Sequence, residues 1–77
     1  MNKEEILKSL KEKIQANKEE WAAMWVVVES QKLQEKPDET EIAKAELRMK
    51  DCVDRIHLLN TLLEREGGTE VTGNIYE

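Results

Sequence analysis

The stretch QKLQEKPDETEI, residues 31–42, holds the single proline of the chain and divides it in two. Proline disfavours the helical conformation at the residue before it, here Lys36, and Asp38 is placed to cap a new helix with Glu41 at its third position. Upstream, residues 2–36 contain neither Gly nor Pro and are rich in Glu, Lys, Gln, Leu and Ala, all strong helix formers. Asn2, with Glu5 three residues later, fits a capping-box start, and acidic residues in the first turn suit the positive end of the helix dipole. Downstream, nothing breaks the pattern until Gly67-Gly68, which supplies a left-handed stop. The chain is therefore expected to be all-α: one helix over about 3–36, a second over about 39–66, and a C-terminal tail over 69–77. With only two or three residues between them, the helices should fold back as an antiparallel hairpin over residues 1–68.

Apolar spacing gives each helix a face. Ile42, Ala45, Met49, Cys52, Ile56, Leu59 and Leu63 alternate steps of three and four, as a coiled-coil seam requires, and so do Leu7, Leu10, Ile14, Asn17, Trp21, Met24 and Val28. If the two seams zip together, facing residue numbers should sum to about 75. That register sets Val28 near Leu47, Trp21 near Asp54 and Ile14 near Thr61.

At 77 residues a lone core of this kind is marginal unless disulfides, metal or oligomerisation assist it. There is one cysteine, so no intramolecular disulfide can form, and one histidine, so no His/Cys cluster exists to hold a structural zinc. Self-association is left as the expected source of stability. No segment joins basic residues to an apolar run of signal-peptide length, and no apolar run approaches the roughly 20 residues needed to cross a bilayer, so a cytoplasmic protein without membrane contact is expected. Seventeen acidic against twelve basic residues, a net charge of −5, argue against general nucleic-acid binding.

The window EEWAAMWVVVES, residues 19–30, concentrates two of the three aromatic residues. At about 100° per residue, Trp21, Trp25 and Val28 share a stripe with Leu10 and Ile14, while Ala22, Ala23, Val26, Val27 and Leu33 fall on the flanks and back. In the second helix Leu47, Leu58 and Leu62 lie roughly opposite the main seam. A hairpin covers one side of each helix, so this excess predicts a subunit interface built from Trp21, Ala22, Trp25, Val26, Val27, Leu47, Leu58 and Leu62, with the hairpins assembling into an oligomeric helical bundle; the alternative is that residues 69–77 fold back over the patch. Asn17, polar at a seam position, would fix register or subunit number.

Little in the sequence supports catalysis. His57 has Asp54 a turn before it and Thr61 a turn after it, a pattern most often of local helix contacts, and Cys52 falls in the seam as a small buried hydrophobe. Glu4/Lys8, Glu46/Lys50 and Asp51/Arg55 stand at the spacing of ordinary surface ion pairs. No phosphate loop, CxxC, HExxH or nucleophile elbow occurs, and neither a catalytic set, a cofactor nor a metal is expected. In the tail, Val71-Thr72 and Ile75-Tyr76 flank Gly73-Asn74, a dipeptide suited to a tight turn, and Tyr76 offers both a stacking face and a hydroxyl.

The stretch PDETEIAKAELRMKDCV, residues 37–53, resembles the hairpin domain of phage anti-defence proteins that sequester cyclic nucleotide signals. Pro37, Asp38, Glu41, Ala43 and Ala45 match that pattern, Asp51, Cys52 and Val53 match it more loosely, and His57 stands where the family tends to have asparagine. The resemblance implies an oligomeric helical sponge for a small anionic ligand. Two function classes follow: a module that binds another protein as a regulator, inhibitor or assembly factor, and a ligand sponge. The sponge requires converging cations and an aromatic face, for which Arg48, Lys50, Arg55 and Tyr76 are the candidates.

Overall fold

In a computed structural model, which describes residues 2–67, the chain forms two α-helices, α1 (Lys3–Lys32) and α2 (Glu39–Arg65), and the described residues contain no strand. Both starts follow from local hydrogen bonding. The Asn2 side-chain oxygen accepts from the Glu5 N–H at 2.9 Å, and one Asp38 carboxylate oxygen accepts from the N–H groups of Thr40 and Glu41 at 3.0 and 3.2 Å. Each satisfies donors that the first helical turn leaves without a partner. At the far end Gly67 adopts φ +81°, and its N–H donates to the Glu64 carbonyl at 3.0 Å. A Cβ there would also stand 3.1 Å from Lys3 Nζ.

α1 stops at Lys32, four residues short of the boundary expected from composition, and the connection spans 33–38 rather than two or three residues. Val28 is the last apolar seam residue; the positions that would continue the seam, Gln31 and Glu35, are polar. Leu33 is 88% exposed, so nothing packs against a further turn. Helix propensity alone does not hold a terminal turn in water. The Gln31 side chain instead accepts from the Asp38 N–H at 3.0 Å and closes the connection.

The expected seam is the core. Ile14, Ile56 and Leu63 form one buried cluster, with Leu7, Leu10 and Leu59 against it, at the open end of the hairpin. Val28, Ile42 and Ala45 form a second at the loop end, with Met24, Val27 and Met49 against it. Cys52, 1% exposed, is buried between them. The register differs from the one expected: Val28 packs with Ile42 and Ala45, whereas Leu47 is 62% exposed. Ile14 packs with Ile56 and Leu63, on either side of the expected Thr61. The longer connection shifts the loop end of the pairing by a turn. Asn60, at 6% exposure, is a buried polar residue that the seam pattern passed over, and no buried side-chain N or O among the described residues lacks a hydrogen-bond partner.

The hairpin is a rod of 52 × 21 × 14 Å. Among the described residues each helix has one neighbour, the other helix, so more than half of each circumference faces outward. Leu63→Ala, at a site with 0% exposure, should lower unfolding free energy by about 2–5 kcal/mol, whereas Leu33→Ala at 88% exposure should change it by less than about 0.5 kcal/mol. Urea titration followed by circular dichroism checks both. A small loss at Leu63 would mean that the open end does not pack as described.

Candidate interaction surface

The polar centre of the hairpin lies between the two core clusters. Glu20 projects from α1 so that its Oε1 is 4.0 Å from Arg48 Nη1 and its Oε2 is 4.0 Å from Arg55 Nη1. The two arginines stand seven residues apart, close to two turns, and so reach one carboxylate from the same side of α2. At 4.0 Å these are charge contacts rather than fork-shaped hydrogen bonds, and their guanidinium side chains are 65% and 60% exposed. Beneath them sits Cys52. Its thiol pKa is raised above the ordinary 9.0, first by burial and then by a hydrogen bond to the Glu20 carboxylate and by that group's charge, with Arg55 opposing.

Two of the expected anion-binding cations, Arg48 and Arg55, thus share an internal counter-charge. Lys50 has one as well: its Nζ donates to Asp54 Oδ2 at 2.9 Å, and that hydrogen bond, followed by the Asp54 charge, raises the ammonium pKa above 10.5. The expected pairing of Lys50 with Glu46 gives way to this one, and Arg55 is drawn across the interface to Glu20 instead of along its own helix to Asp51. Tyr76 and the rest of the tail lie outside the described residues.

The eight expected interface residues do not form one patch. Val28 is in the core, Met24 and Val27 pack against it, and Trp21 is half-buried, so part of the apolar window is satisfied inside the hairpin. Trp25 and Val26 remain 47% and 55% exposed, and Ala22 is exposed beside them. At about 100° per residue, Ala22, Trp25, Val26 and Leu33 lie on one side of the α1 seam, with Glu20 and Val27 on the other. The same geometry puts half-buried Leu62 on the Glu20 side of α2, and Leu47 and Leu58, 62% and 61% exposed, along its outer back. Two separate apolar surfaces result, one on α1 and one on α2. A shallow groove lined by Met24, Val27, Leu47 and Arg48 joins the second to the loop-end core.

The remaining candidates have local roles. Asn17 donates from Nδ2 to the Lys13 carbonyl of its own helix at 2.8 Å, and the Thr61 hydroxyl donates to the His57 main-chain carbonyl at 3.0 Å. His57 is exposed. Among the described residues, no group of three His, Cys, Asp or Glu is placed to hold a metal ion, and no helix is long and apolar enough to cross a membrane. Sequence reading missed Glu20, whose contacts lie on the partner helix, and Gln31, whose side chain accepts from the Asp38 N–H across the connection. It also missed Asn60, although its spacing of four from Ile56 and three from Leu63 marks it as inward-facing. No protein-family model, curated protein or solved structure matches the chain.

Cys52 should resist iodoacetamide in the folded protein and react readily in urea, read as a mass shift. The raised folded pKa fixes the sign of its pH effect. Below 9.0 the thiol is protonated in both states; above it the unfolded chain loses its proton first, so stability should fall as pH rises through the folded value. Melting curves of the parent and Cys52→Ala across this range isolate the contribution, which should be absent in the variant.

Proposed function

We propose that this chain is a non-enzymatic, self-associating helical hairpin that binds another protein as a regulator, inhibitor or assembly factor in the cytoplasm. The observation that carries this reading is the set of apolar side chains left in water: Trp25 at 47%, Val26 at 55%, Leu47 at 62% and Leu58 at 61% exposure. A Trp side chain buries some 150–250 Å², so covering the outward half of Trp25 alone contributes about 2 kcal/mol at roughly 25 cal/mol per Å². Exposed apolar groups in two separate patches suit contacts with more than one neighbour. The net charge of −5 favours a partner with a basic surface.

A second reading, sequestration of a small anionic ligand such as a cyclic nucleotide, has one structural observation in its favour: Arg48 and Arg55 converge on a single point. Glu20 occupies that point, at 4.0 Å from each, and an anion would have to displace it or bind alongside its charge. Protein binding requires no such exchange and ranks first.

Sedimentation velocity at micromolar concentration should show a species heavier than the 9.0 kDa chain. Native mass spectrometry of the complex purified from its host should retain a protein partner, and Trp25→Glu/Val26→Glu should lose that partner while remaining helical. A monomer that retains no protein overturns the reading. A retained small anion, released by Arg48→Ala/Arg55→Ala, would establish the second in its place.

A further inference from the structure

We propose that the Trp25 side of α1 receives a second copy of this chain, in an antiparallel two-fold contact that sets Trp25 of one copy over Ala22 of the other and closes the two hairpins into a four-helix bundle. The proposal deepens the reading above and rests on its self-association. Lys18, Ala22, Trp25 and Glu29 lie within about 60° of one another around α1, on the side away from Glu20 and roughly 80° from the seam. Steps of four, three and four make them a second seam. Trp25 is 47% exposed, Ala22 is exposed, and Lys18 and Glu29 are half-buried.

The order of these four side chains selects the arrangement. About a two-fold axis, if residue i meets residue j then j meets i. With the axis between Ala23 and Met24, each indole faces the smallest side chain of the strip, and on either side Lys18 faces Glu29 of the second copy. Two large-on-small apolar layers are thus flanked by two opposite-charge layers. Glu19 and Lys32, at the margins of the outer layers, add one charge of each sign. A parallel contact in register would set Lys18 on Lys18 and Glu29 on Glu29, which opposes like charges. Moving the antiparallel pairing by a heptad either way would put Trp25 on Gln15 or on Glu29 and lose the apolar layers.

The same axis brings the two α2 helices side by side, because α2 lies close to a right angle around α1 from this strip. Glu20 stands level with the midpoint of Arg48 and Arg55, so the axis passes near the level of Arg48 on α2. Glu46 and Lys50 lie two residues to either side of that level, on the Trp25 side of α2. Glu46 of each copy therefore meets Lys50 of the other, a second opposite-charge match that the α1 strip did not select. Lys50 can serve this contact as well as Asp54, because its side chain is 71% exposed. Leu47 and Leu58 stay outside the bundle.

Charge reversal tests the pairing. Lys18→Glu sets like charges in both outer layers and should weaken self-association by about tenfold or more with unchanged helicity. Lys18→Glu/Glu29→Lys restores opposite charges and should return the affinity to near that of the parent, measured by sedimentation equilibrium. Ala22→Glu, which fills the space under the indole, should dissociate the copies, whereas Lys11→Glu, outside the paired layers, should leave them associated. If the parent associates but neither Lys18→Glu nor Ala22→Glu weakens it, while Leu58→Glu does, the contact lies on α2; this assignment falls and self-association stands. If Lys18→Glu dissociates the copies and the double reversal fails to restore them, the Lys18–Glu29 pairing is wrong. A parent that stays monomeric at high micromolar concentration removes self-association itself and the proposal with it.

Discussion

The contact between the two seams, Ile14 and Val28 from α1 against Ile42, Ala45, Ile56 and Leu63 from α2, is the only place among the described residues where a continuous line of apolar atoms is removed from water. An isolated helix of this length gains little in water from propensity alone, so each helix depends on the other for its persistence. Where the seam ends, the helix ends. α1 stops one turn after Val28, and the residues beyond it join the connection to Asp38. The seam also determines what is left outside, since among the described residues nothing beyond the two helices covers Trp25, Val26, Leu47 or Leu58.

Across the middle of this line the packing changes character. Cys52 is buried there, but the group above it is Glu20, flanked by Arg48 and Arg55. Exposed charge contacts of this length add little stability. Their effect is on alignment: sliding one helix by a turn would carry Glu20 away from one arginine and bring the thiol under a different side chain. Apolar contacts tolerate such a slip better, because leucine, isoleucine and methionine can replace one another at modest cost. The polar centre and the Gln31–Asp38 hydrogen bond together select one register from several that the apolar pattern alone permits.

What could be read from the sequence was what repeats or what acts locally. The three-and-four spacing located the apolar seam residues but not buried Asn60, and the caps at Asn2, Asp38 and Gly67 were visible because each is satisfied within a few residues of itself. The end of α1 was not visible, since residues 33–36 are good helix formers and their departure from the helix reflects the absence of anything to pack against. The Glu20 contacts were hidden for a related reason. Glu20 lies off the seam, and although the expected sum of about 75 sets it opposite Arg55, its simultaneous approach to Arg48 depends on how α2 packs. The apolar window was recognised as a surplus, but its division into a satisfied part, Met24, Val27 and Val28, and an exposed part, Trp25 and Val26, required the position of α2.

The separation of the core into two clusters has a consequence for how the hairpin forms. Contacts of the loop-end cluster, such as Val28 with Ile42, close a short segment of chain. Those of the open-end cluster, such as Ile14 with Ile56, close one about three times longer, which costs about 1 kcal/mol more in chain entropy. Pairing from the loop outward shortens the effective closure for every later contact, so the chain assembles like a zipper whose slider starts at Pro37. In the reverse direction the open end parts first. Slow amide exchange should therefore persist longest around Val28 and Ala45, so that a rod with one continuous seam has a graded stability along its length.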